Sequence, residues 1–333
     1  MPLRRLLATA AVAALAFAAT APAPASAADL ASANRAGRWV ATQVSGGQLD
    51  DGFNPIGASA DGLIGLASAD DPALRPTIDT LLATVRKGAA GYVASGGGSA
   101  AGKLAIVAAA YDLDPRSFGG VDLVAALRDG VAADGSVGPY PGPFGSGIAL
   151  AGLERAGASA PAALTTWLVA QQNADGGFGY AAGQASDADN TALAILGLRT
   201  DGSDAARAAL GKAIAWARGA QNADGSWAGY VAVNSTCVLG SALLGAGAGD
   251  APTKALAFAR TKQLSSGAIT DGSGANLMAT TQCGPLLGGV SYLDVAWRPG
   301  QPSATHPTVT PTASTPRAAG TTAATSPAPS PTG

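Results

Sequence analysis

Two nearly identical heptapeptides constrain the fold of this chain more than any other feature of its sequence. Residues 172–178 read Gln-Asn-Ala-Asp-Gly-Gly-Phe and residues 221–227 read Gln-Asn-Ala-Asp-Gly-Ser-Trp, 49 positions apart. Weaker copies, or the positions where further copies would fall, lie at 48–53, 89–92, 133–136 and 265–268. Six units at spacings of 39 to 49 residues predict an array of structural repeats.

Each repeat has the pattern of two helices joined by a tight turn. Residues 205–220 carry apolar side chains at i, i+4 and i+7, which predicts a helix with one apolar face. The Asp-Gly of the motif comes next and predicts a tight turn, because glycine permits the positive φ that such a turn needs. We expect the bulky residue after it to pack beneath the turn and a second helix to follow, as at 191–198 and 236–244. The bulky residues are Phe53, Phe178 and Trp227.

A helix pair of this kind cannot bury its apolar face alone, so the pairs must stack on one another. An open stack needs polar capping repeats, and neither end of the repeat region is polar. The chain has 46 Gly and only 5% aromatic residues, so small side chains let neighbouring helices approach closely. The sequence therefore predicts an all-α fold, an (α/α)6 toroid of six helix-pair repeats spanning residues 29–298.

The heptapeptides, each with a tryptophan five residues before its Gln (Trp167 and Trp216), resemble the QW repeat of terpenoid cyclases, also known as the prenyltransferase/squalene oxidase repeat. The resemblance covers roughly residues 36–298 and is strongest over 160–245. It implies an α/α toroid with six parallel inner helices inside six outer ones. It also implies structural roles, tying outer helices together, for Gln172, Phe178, Gln221 and Trp227. Secreted actinobacterial proteins with this repeat and a Thr/Pro-rich tail look most similar.

Both ends of the chain differ from the repeats. Residues 1–27 have the pattern of a signal peptide, with Arg4 and Arg5 before an apolar run and a small-residue cleavage site at its end; a short anchor helix is the alternative. Residues 299–333 are rich in Pro, Thr, Ser and Ala, a composition typical of disorder. We expect an extracellular protein, secreted or associated with the cell envelope, without a transmembrane segment in the mature chain.

Charge and histidine content exclude several classes of function. The formal net charge is −2 and the pI is about 5.3, so nothing in the composition indicates a nucleic-acid partner. The single histidine, His306, falls in the predicted tail. Histidine catalysis and His-ligated zinc are therefore excluded from the predicted toroid, and we expect no metal and no cofactor.

One segment resembles an active-site motif. Residues 187–192 read Asp-Ala-Asp-Asn-Thr-Ala, similar to the Asp-x-Asp-Asp-Thr-Ala of class II terpene cyclases. The resemblance implies that Asp189 is the general acid and Asp187 its neighbour, while Asn190 replaces the last Asp of the motif. An alkene is a very weak base, so such an acid must be buried and kept protonated.

Helix capping is the alternative interpretation of the same segment. Polar side chains at the start of a helix accept hydrogen bonds from its first free N–H groups. The next repeat carries Asn-Ser-Thr-Cys, residues 234–237, at the corresponding place. A polar cluster that recurs in successive repeats is typical of capping, which we favour over ligand binding or acid catalysis.

The two cysteines lie almost one repeat apart. Cys237 and Cys283 are separated by 46 positions and fall in corresponding helices of the fifth and sixth units. Neighbouring inner helices would bring them side by side, and exported proteins meet an oxidising environment. We predict a disulfide, with two free buried thiols as the alternative.

These features favour a non-enzymatic extracellular module that binds a small-molecule or cell-wall ligand. A class II cyclase-like enzyme using Asp189 is one alternative, and a polysaccharide-active enzyme with paired carboxylates is another. Two expectations argue against cyclisation: cyclases of this class normally have a second helical barrel, and a carbocation needs aromatic faces, which are scarce in this chain.

Overall fold

The computed structural model describes residues 29–300, which contain eleven α-helices and isolated β-bridges but no β-strand. The predicted signal peptide, most of the predicted tail and His306 lie outside the described residues. The helices are α1 (Leu30–Thr42), α2 (Pro55–Leu66), α3 (Arg75–Ala110), α4 (Leu123–Asp129), α5 (Pro143–Arg155), α6 (Ala162–Ala170), α7 (Ala188–Leu198), α8 (Asp204–Ala220), α9 (Ala232–Gly245), α10 (Ala251–Thr261) and α11 (Leu277–Leu287).

Six helical segments form an inner ring. They are α2, the second half of α3, α5, α7, α9 and α11; each packs against the next, and α11 packs against α2. The remaining segments, α1, the first half of α3, α4, α6, α8 and α10, form the outer layer, and α8, for example, buries one face made of alanines. The ring is closed, so the predicted (α/α)6 toroid is confirmed.

The second unit has no turn between its helices. The turn expected at 89–92 is wrong, because these residues lie inside α3 and Ala89 is fully buried. The chain instead changes direction at Gly97, with φ 58° and ψ −144°. Only glycine adopts this conformation without steric cost, so a single residue replaces the turn of the other units.

The stretch Pro72–Ala110 is long and apolar enough to cross a membrane by length and composition. More than half of its most apolar window is buried inside the protein. Its second half is an inner helix of the ring, packed against α2 and α5. Burial within the ring therefore accounts for its apolar character.

Glycines bring the inner helices into backbone contact. A Cβ built on Gly147 of α5 would lie 2.0 Å from the carbonyl oxygen of Leu193 on α7. A Cβ built on Gly102 of α3 would lie 2.4 Å from the carbonyl oxygen of Ile148 on α5. Any side chain at these positions would force the helices apart, which explains why the inner helices are rich in glycine.

The glutamines of the repeat motif connect successive outer helices. The Gln172 side-chain amide donates to the carbonyl of Ala209 on α8 (2.7 Å). The Gln221 amide donates in the same way to the carbonyl of Ala251 on α10 (2.9 Å). Each amide also donates to the motif glycine of its own turn, so one side chain fixes both the turn and the next helix.

A third glutamine closes the outer layer. The Gln263 amide, after α10, donates to the carbonyl of Ser32 on α1 (2.9 Å). Two further contacts join the same ends of the chain: Arg260 pairs with Asp29 (2.7 Å), and the Asp29 N–H donates to the carbonyl of Leu287 (2.9 Å). Gln263 thus joins the sixth unit to the first through the same kind of hydrogen bond by which Gln172 joins the fourth unit to the fifth.

The bulky residue of the motif is buried beneath the turn in the fourth and fifth units. Phe178 and Trp227 are fully buried. Their backbone N–H groups donate to the hydroxyls of Thr191 and Thr236, on the inner helices that follow, at 3.0 Å each. This bond anchors each turn to the inner ring.

In the first unit the turn and the buried bulky residue lie a few residues before the positions that the sequence predicted. Phe53 is 78% exposed, so it does not pack beneath a turn. Leu49 takes that place: it is fully buried, and its N–H donates to the hydroxyl of Ser59 on α2 (3.0 Å). Gly46 and Gly47, both with positive φ, form this turn, and the Asp-Gly at 51–52 follows it.

The predicted disulfide is confirmed. Cys237 on α9 and Cys283 on α11 are bonded, with their Cα atoms 4.8 Å apart. Both residues are fully buried. The bond joins the fifth and sixth inner helices, next to the point where the ring closes.

Candidate functional site

One end of the ring is covered by the residues that follow α11. The Arg155 guanidinium, at the end of α5, donates to the carbonyls of Leu293 (2.9 Å) and Val295 (2.6 Å). The Trp297 N–H donates to the carbonyl of Ala110 at the end of α3 (2.8 Å). The Arg199 guanidinium donates to the Ser291 hydroxyl (3.1 Å), and the Ser241 hydroxyl donates to the carbonyl of Val290 (3.0 Å). Residues 290–297, the closing segment, thus cover the C-terminal ends of four inner helices.

Polar side chains collect inside the ring, on the side of the closing segment that faces the N-terminal ends of the inner helices. We call this group the polar well. Its members are Asp61 (α2), Lys103 (α3), Asp189 (α7), Asn234 and Ser235 (α9), Gln282 (α11) and Tyr292 (closing segment). Asp61, Lys103, Asp189 and Gln282 are only partly buried although they lie on inner helices, so solvent reaches the well.

Asp61 and Lys103 form an ion pair in the well. Their side chains are 2.9 Å apart and only 13% and 19% exposed. Burial works to lower the pKa of Lys103, but the Asp61 carboxylate, together with smaller contributions from Tyr92 and Asp51, raises the pKa overall. The pair is therefore held charged in a poorly solvated place, where separating the partners is unfavourable.

Asp189 lies on the opposite side of the ring from this pair, because α2 and α7 are three places apart among the six inner helices. The Ser235 hydroxyl donates to Asp189 Oδ2 (2.9 Å). Burial raises the pKa of Asp189, with a smaller contribution from the charge of Asp187 and an opposing one from Ser235. Asp189 thus keeps its proton at higher pH than an ordinary aspartate.

Capping accounts for Asp187 but not for Asp189. One oxygen of Asp187 accepts the backbone N–H of Asn190 (2.8 Å) and the other accepts its side-chain amide (2.8 Å). This is the N-cap geometry of α7. Asn190 in turn accepts the backbone N–H of Phe144 (3.2 Å), so it connects α7 to α5. Of the motif, Asp189 alone joins the polar well.

The corresponding polar residues of the next unit do not cap their helix, contrary to the capping interpretation. Helix α9 begins at Ala232, and its N-cap residue Val231 makes no side-chain cap. Asn234 and Ser235 instead reach towards the neighbouring inner helices on either side. Because α9 starts at Ala232, earlier than the pattern indicated, Asn234 and Ser235 lie inside the helix and line the polar well.

Asn234 has an unsatisfied acceptor. Its side-chain amide nitrogen donates to Gln282 Oε1 on α11 (3.2 Å). The residue is only 5% exposed. Its oxygen Oδ1 is buried and has no hydrogen-bond partner among the described residues. A buried acceptor without a donor is unusual in a folded protein.

Tyr292 is the residue of the closing segment that lies beside the well. Its ring is buried in the closing segment. Burial raises the pKa of its phenol, and the negative charges of Asp61 and Asp189 raise it further. The phenol therefore keeps its proton and can donate a hydrogen bond.

Exposed aromatic side chains surround the other end of the ring. Phe53 precedes α2, Tyr140 and Phe144 flank the start of α5, Tyr180 precedes α7 and Tyr230 precedes α9. We call these five residues the aromatic rim. Tyr140 and Tyr230 are 92% and 96% exposed. All five lie where inner helices begin, so they share the face opposite the closing segment.

Two further observations bear on ligands. A small cavity of about 260 Å³ lies at the kink of α3, lined by Ser95, Ser99 and Tyr140 among others. Between residues 29 and 300, no three His, Cys, Asp or Glu side chains are placed to hold a metal ion.

Sequence reasoning singled out Asp189, and Asn234 and Ser235 as possible caps, but missed the other four members of the well. Asp61, Lys103, Gln282 and Tyr292 are isolated polar residues in apolar stretches and carry no local pattern. The aromatic rim had a detectable signal, since an aromatic residue precedes the second helix in several units, as Tyr140 and Tyr230 do.

Comparison with known proteins supports the architecture. No family model and no curated protein matches the chain. Among solved structures, the type II terpene cyclase MstE from Scytonema in complex with geranylgeranyl dihydroxybenzoate is similar, with a TM-score of 0.63 and 15% identity over 78% of this chain and 97% of that chain. The protein is an α/α toroid. A wild-type glycosidase is also similar, with a TM-score of 0.53 and 15% identity over 80% of this chain and 98% of that chain.

The size of these neighbours corrects one expectation. A second helical barrel was taken as a normal requirement for type II cyclisation, yet the MstE chain is covered over 97% of its length by this one. A protein of a single ring is therefore known as a type II terpene cyclase, and the argument from the missing barrel is wrong. At 15% identity, the likeness concerns the fold.

Proposed function

We propose that this protein is a secreted, non-enzymatic α/α toroid that binds a glycan, such as a cell-envelope polysaccharide, at its aromatic rim. The observation that carries the proposal is that five exposed aromatic residues share one face of the ring. Clustered exposed apolar groups mark binding surfaces. Flat aromatic rings suit the C–H faces of sugars, and a tyrosine hydroxyl bonds their edges.

The polar well supports a polyhydroxylated ligand. Lys103 supplies donors, Asp61 acceptors, and Gln282 both. An apolar polyprenyl chain in the same space would remove water from the Asp61–Lys103 pair without replacing its hydrogen bonds, which is unfavourable. The hydroxyls of a sugar can replace the hydrogen bonds that water makes with the Asp61–Lys103 pair, so a sugar does not incur this cost.

Two other features support the proposal. The predicted signal peptide at residues 1–27 and the Cys237–Cys283 disulfide suit an exported protein. A glycosidase with the same fold has been solved in complex with glucose, with a TM-score of 0.54, so an α/α toroid of this size can accommodate a sugar.

The non-enzymatic part of the proposal rests on the carboxylates. Glycoside hydrolysis generally uses two carboxyl groups, one as acid and one as base or nucleophile. In the well Asp61 is engaged by Lys103 at 2.9 Å, which leaves Asp189 without a free partner. We therefore expect binding without release of reducing ends.

Retention on insoluble polysaccharides tests the proposal. The purified protein is expected to bind at least one of peptidoglycan, cellulose, chitin and xylan, and to release no reducing sugar from it. The double variant Tyr140→Ala/Tyr230→Ala is expected to bind about tenfold more weakly or worse, equivalent to about 1.4 kcal/mol. Leu264→Ala is the matched control, because Leu264 is exposed but lies outside the rim. No retention on any of the four, or an unaffected double variant, rejects the proposal.

Acid-catalysed cyclisation is the second candidate, favoured by the raised pKa of Asp189. The test is incubation with geranylgeranyl dihydroxybenzoate, the compound bound in the MstE structure. A cyclase converts it to an isomer of equal mass and different retention time, and Asp189→Asn abolishes the conversion. Absence of any isomer with the wild-type protein rejects this candidate.

A further inference from the structure

The turn of the third unit is not anchored to the inner ring as the turns of the fourth and fifth units are. Its Asp-Gly-Ser is followed by Val137, where those units carry Phe178 and Trp227. Ser146 lies four residues after the N-cap of α5, the place that Thr191 holds on α7. Thr191 accepts the N–H of Phe178, but the buried Ser146 hydroxyl has no hydrogen-bond partner among the described residues.

The cavity of about 260 Å³ lies between this turn and the kink of α3. The second unit has no turn of its own, because α3 changes direction at Gly97. A Cβ built on Gly97 would lie 3.4 Å from the Cα of Gly138, so the kink and the third turn are in contact. The cavity, here called the kink cavity, thus lies where a missing turn meets a small motif side chain.

The lining of the kink cavity indicates a neutral ligand with several polar groups. Among the described residues, none with a charged side chain lines it. Ser95 and Ser99 each donate a hydroxyl to a carbonyl of their own helix, so their oxygens remain as acceptors. Gly138 and Tyr140 make no backbone hydrogen bond with another described residue, so their N–H groups are available as donors. An anion or a cation would find no opposite charge here.

The size of the kink cavity and the position of Tyr140 indicate a single sugar ring. A volume of about 260 Å³ is below the about 300–1,000 Å³ of sites for drug-sized ligands. Tyr140 lines the cavity and is 92% exposed, so one wall is an aromatic ring open to solvent. Such a ring suits the C–H face of a sugar, while the serines and the backbone suit its hydroxyls.

We propose that the kink cavity is a subsite that holds one sugar ring of the glycan. The ring packs on Tyr140, and its hydroxyls bond Ser99 and the backbone of residues 138–140. The inference rests on the proposed glycan-binding function. In the fourth and fifth units the corresponding place is filled by Phe178 and Trp227, so the aromatic rim binds most strongly beside the second and third units.

Gly145 allows the cavity to be filled while the rim is left unchanged. It lies in the first turn of α5 and lines the cavity. A Cβ built on it would lie 3.7 Å from the Ser99 Cβ and 3.9 Å from the carbonyl oxygen of Val137, which is ordinary van der Waals contact. A side chain at this position therefore occupies space between two lining residues without a clash.

Retention on the polysaccharide that retains the wild type is the first measurement. Gly145→Val is expected to fold and to bind at least about tenfold more weakly, and Gly145→Ala is expected to have a smaller effect in the same direction. Gly211→Val is the matched control, because Gly211 is exposed on α8. Tyr140→Ala is expected to weaken binding more than Tyr230→Ala, since Tyr230 does not line the cavity.

Amide NMR gives the location directly. A soluble tetrasaccharide fragment of the same polysaccharide is titrated into the full-length protein. The largest shifts of backbone amide signals are expected at residues 95–99 and 137–140. In Gly145→Val these shifts should require at least about tenfold more tetrasaccharide.

The outcomes separate the two proposals. If the double variant Tyr140→Ala/Tyr230→Ala loses retention but folded Gly145→Val binds like the wild type, the subsite is overturned and glycan binding stands. Amide shifts confined to other units overturn the subsite in the same way. If the thermal unfolding curve shows that Gly145→Val does not fold, the wild-type amide shifts and the comparison of Tyr140→Ala with Tyr230→Ala decide. If no polysaccharide is retained, both proposals fail.

Discussion

Gly284 on α11 packs directly against Gly65 on α2, so closely that a Cβ built on Gly284 would lie 2.6 Å from the Gly65 Cα. The two helices belong to the last and first units of the ring. Their contact is where an open superhelix would differ from a closed toroid. Closure therefore depends on backbone approach between two residues without side chains.

Substituting Gly284 is expected to weaken the ring. Gly284→Ala should lower the free energy of unfolding by about 1–3 kcal/mol, because the new methyl group overpacks the joint. Gly211→Ala is the matched control: Gly211 lies exposed on α8 with nothing within 4 Å of its Cβ position, so it should gain about 0.5–1 kcal/mol from helix propensity. Urea unfolding measures both. Equal effects of the two substitutions would contradict the tight contact.

Gln263 is expected to hold α1 on the ring. Gln263→Ala removes three hydrogen bonds: its amide nitrogen donates to Ser32 and Gly267, and its oxygen accepts from Arg35. The loss should cost about 1–3 kcal/mol in the free energy of unfolding. Amide hydrogen exchange in Leu30–Thr42 should accelerate. Gln43→Ala is the control, since the Gln43 amide bonds only the adjacent Thr42 at the surface. Unchanged exchange in α1 would show that Gln263 does not close the outer layer.

Removing the disulfide is expected to destabilise the protein strongly. The double variant Cys237→Ala/Cys283→Ala frees a loop of 46 residues, which corresponds to about 4 kcal/mol in the chain-entropy model. The thermal midpoint should fall accordingly, as measured by calorimetry. A thiol assay on the denatured wild-type protein without reductant tests the bond directly. Two titrating thiols would refute the Cys237–Cys283 disulfide.

Asp189 is expected to make stability depend on pH. Its folded pKa is raised, so its contribution is most favourable below its unfolded value of 3.8 and is lost as the pH rises through the folded value. The Asp189→Asn variant has no titratable group at this position. The stability of the variant relative to wild type should therefore increase from about pH 4 to pH 7.

Thermal unfolding of both proteins across that range measures the difference. Asp204→Asn is the control, because its side chain is 96% exposed and buries no charge. A difference between Asp189→Asn and wild type that is the same at both ends of the range would contradict burial as the cause of the shift.

The prediction of the fold was most accurate where the motif is complete. The copies beginning at Gln172 and Gln221 were read in the correct register, because Asp-Gly turns and a bulky buried residue occur together there. In the first unit the Gly-Gly turn at Gly46 and Gly47 takes the place of the motif turn, while the Asp-Gly at 51–52 follows it and Phe53 stays exposed. In the second unit Gly97 alone reverses the chain, which no turn pattern indicates.

The candidate site was less predictable for a physical reason. Asp189 lies in a recognisable segment, but Asp61 and Lys103 are 42 positions apart in sequence and meet only because their helices are neighbours in the ring. Tyr292 lies in the closing segment, which reaches the inner helices only because the chain doubles back after α11. Side chains gathered from different units in this way carry no shared local pattern.

The sequence alone determined the repeat count, the helix-pair unit, the small-residue packing and the pairing of Cys237 with Cys283. These follow from periodicity and residue size, which act over one or two units. The tertiary structure decided which polar residues face inward, which aromatic residues remain exposed and which end of the ring is covered. Those outcomes depend on which helices become neighbours in the ring and on where the chain runs after α11, and only the packing of all six helix pairs sets both.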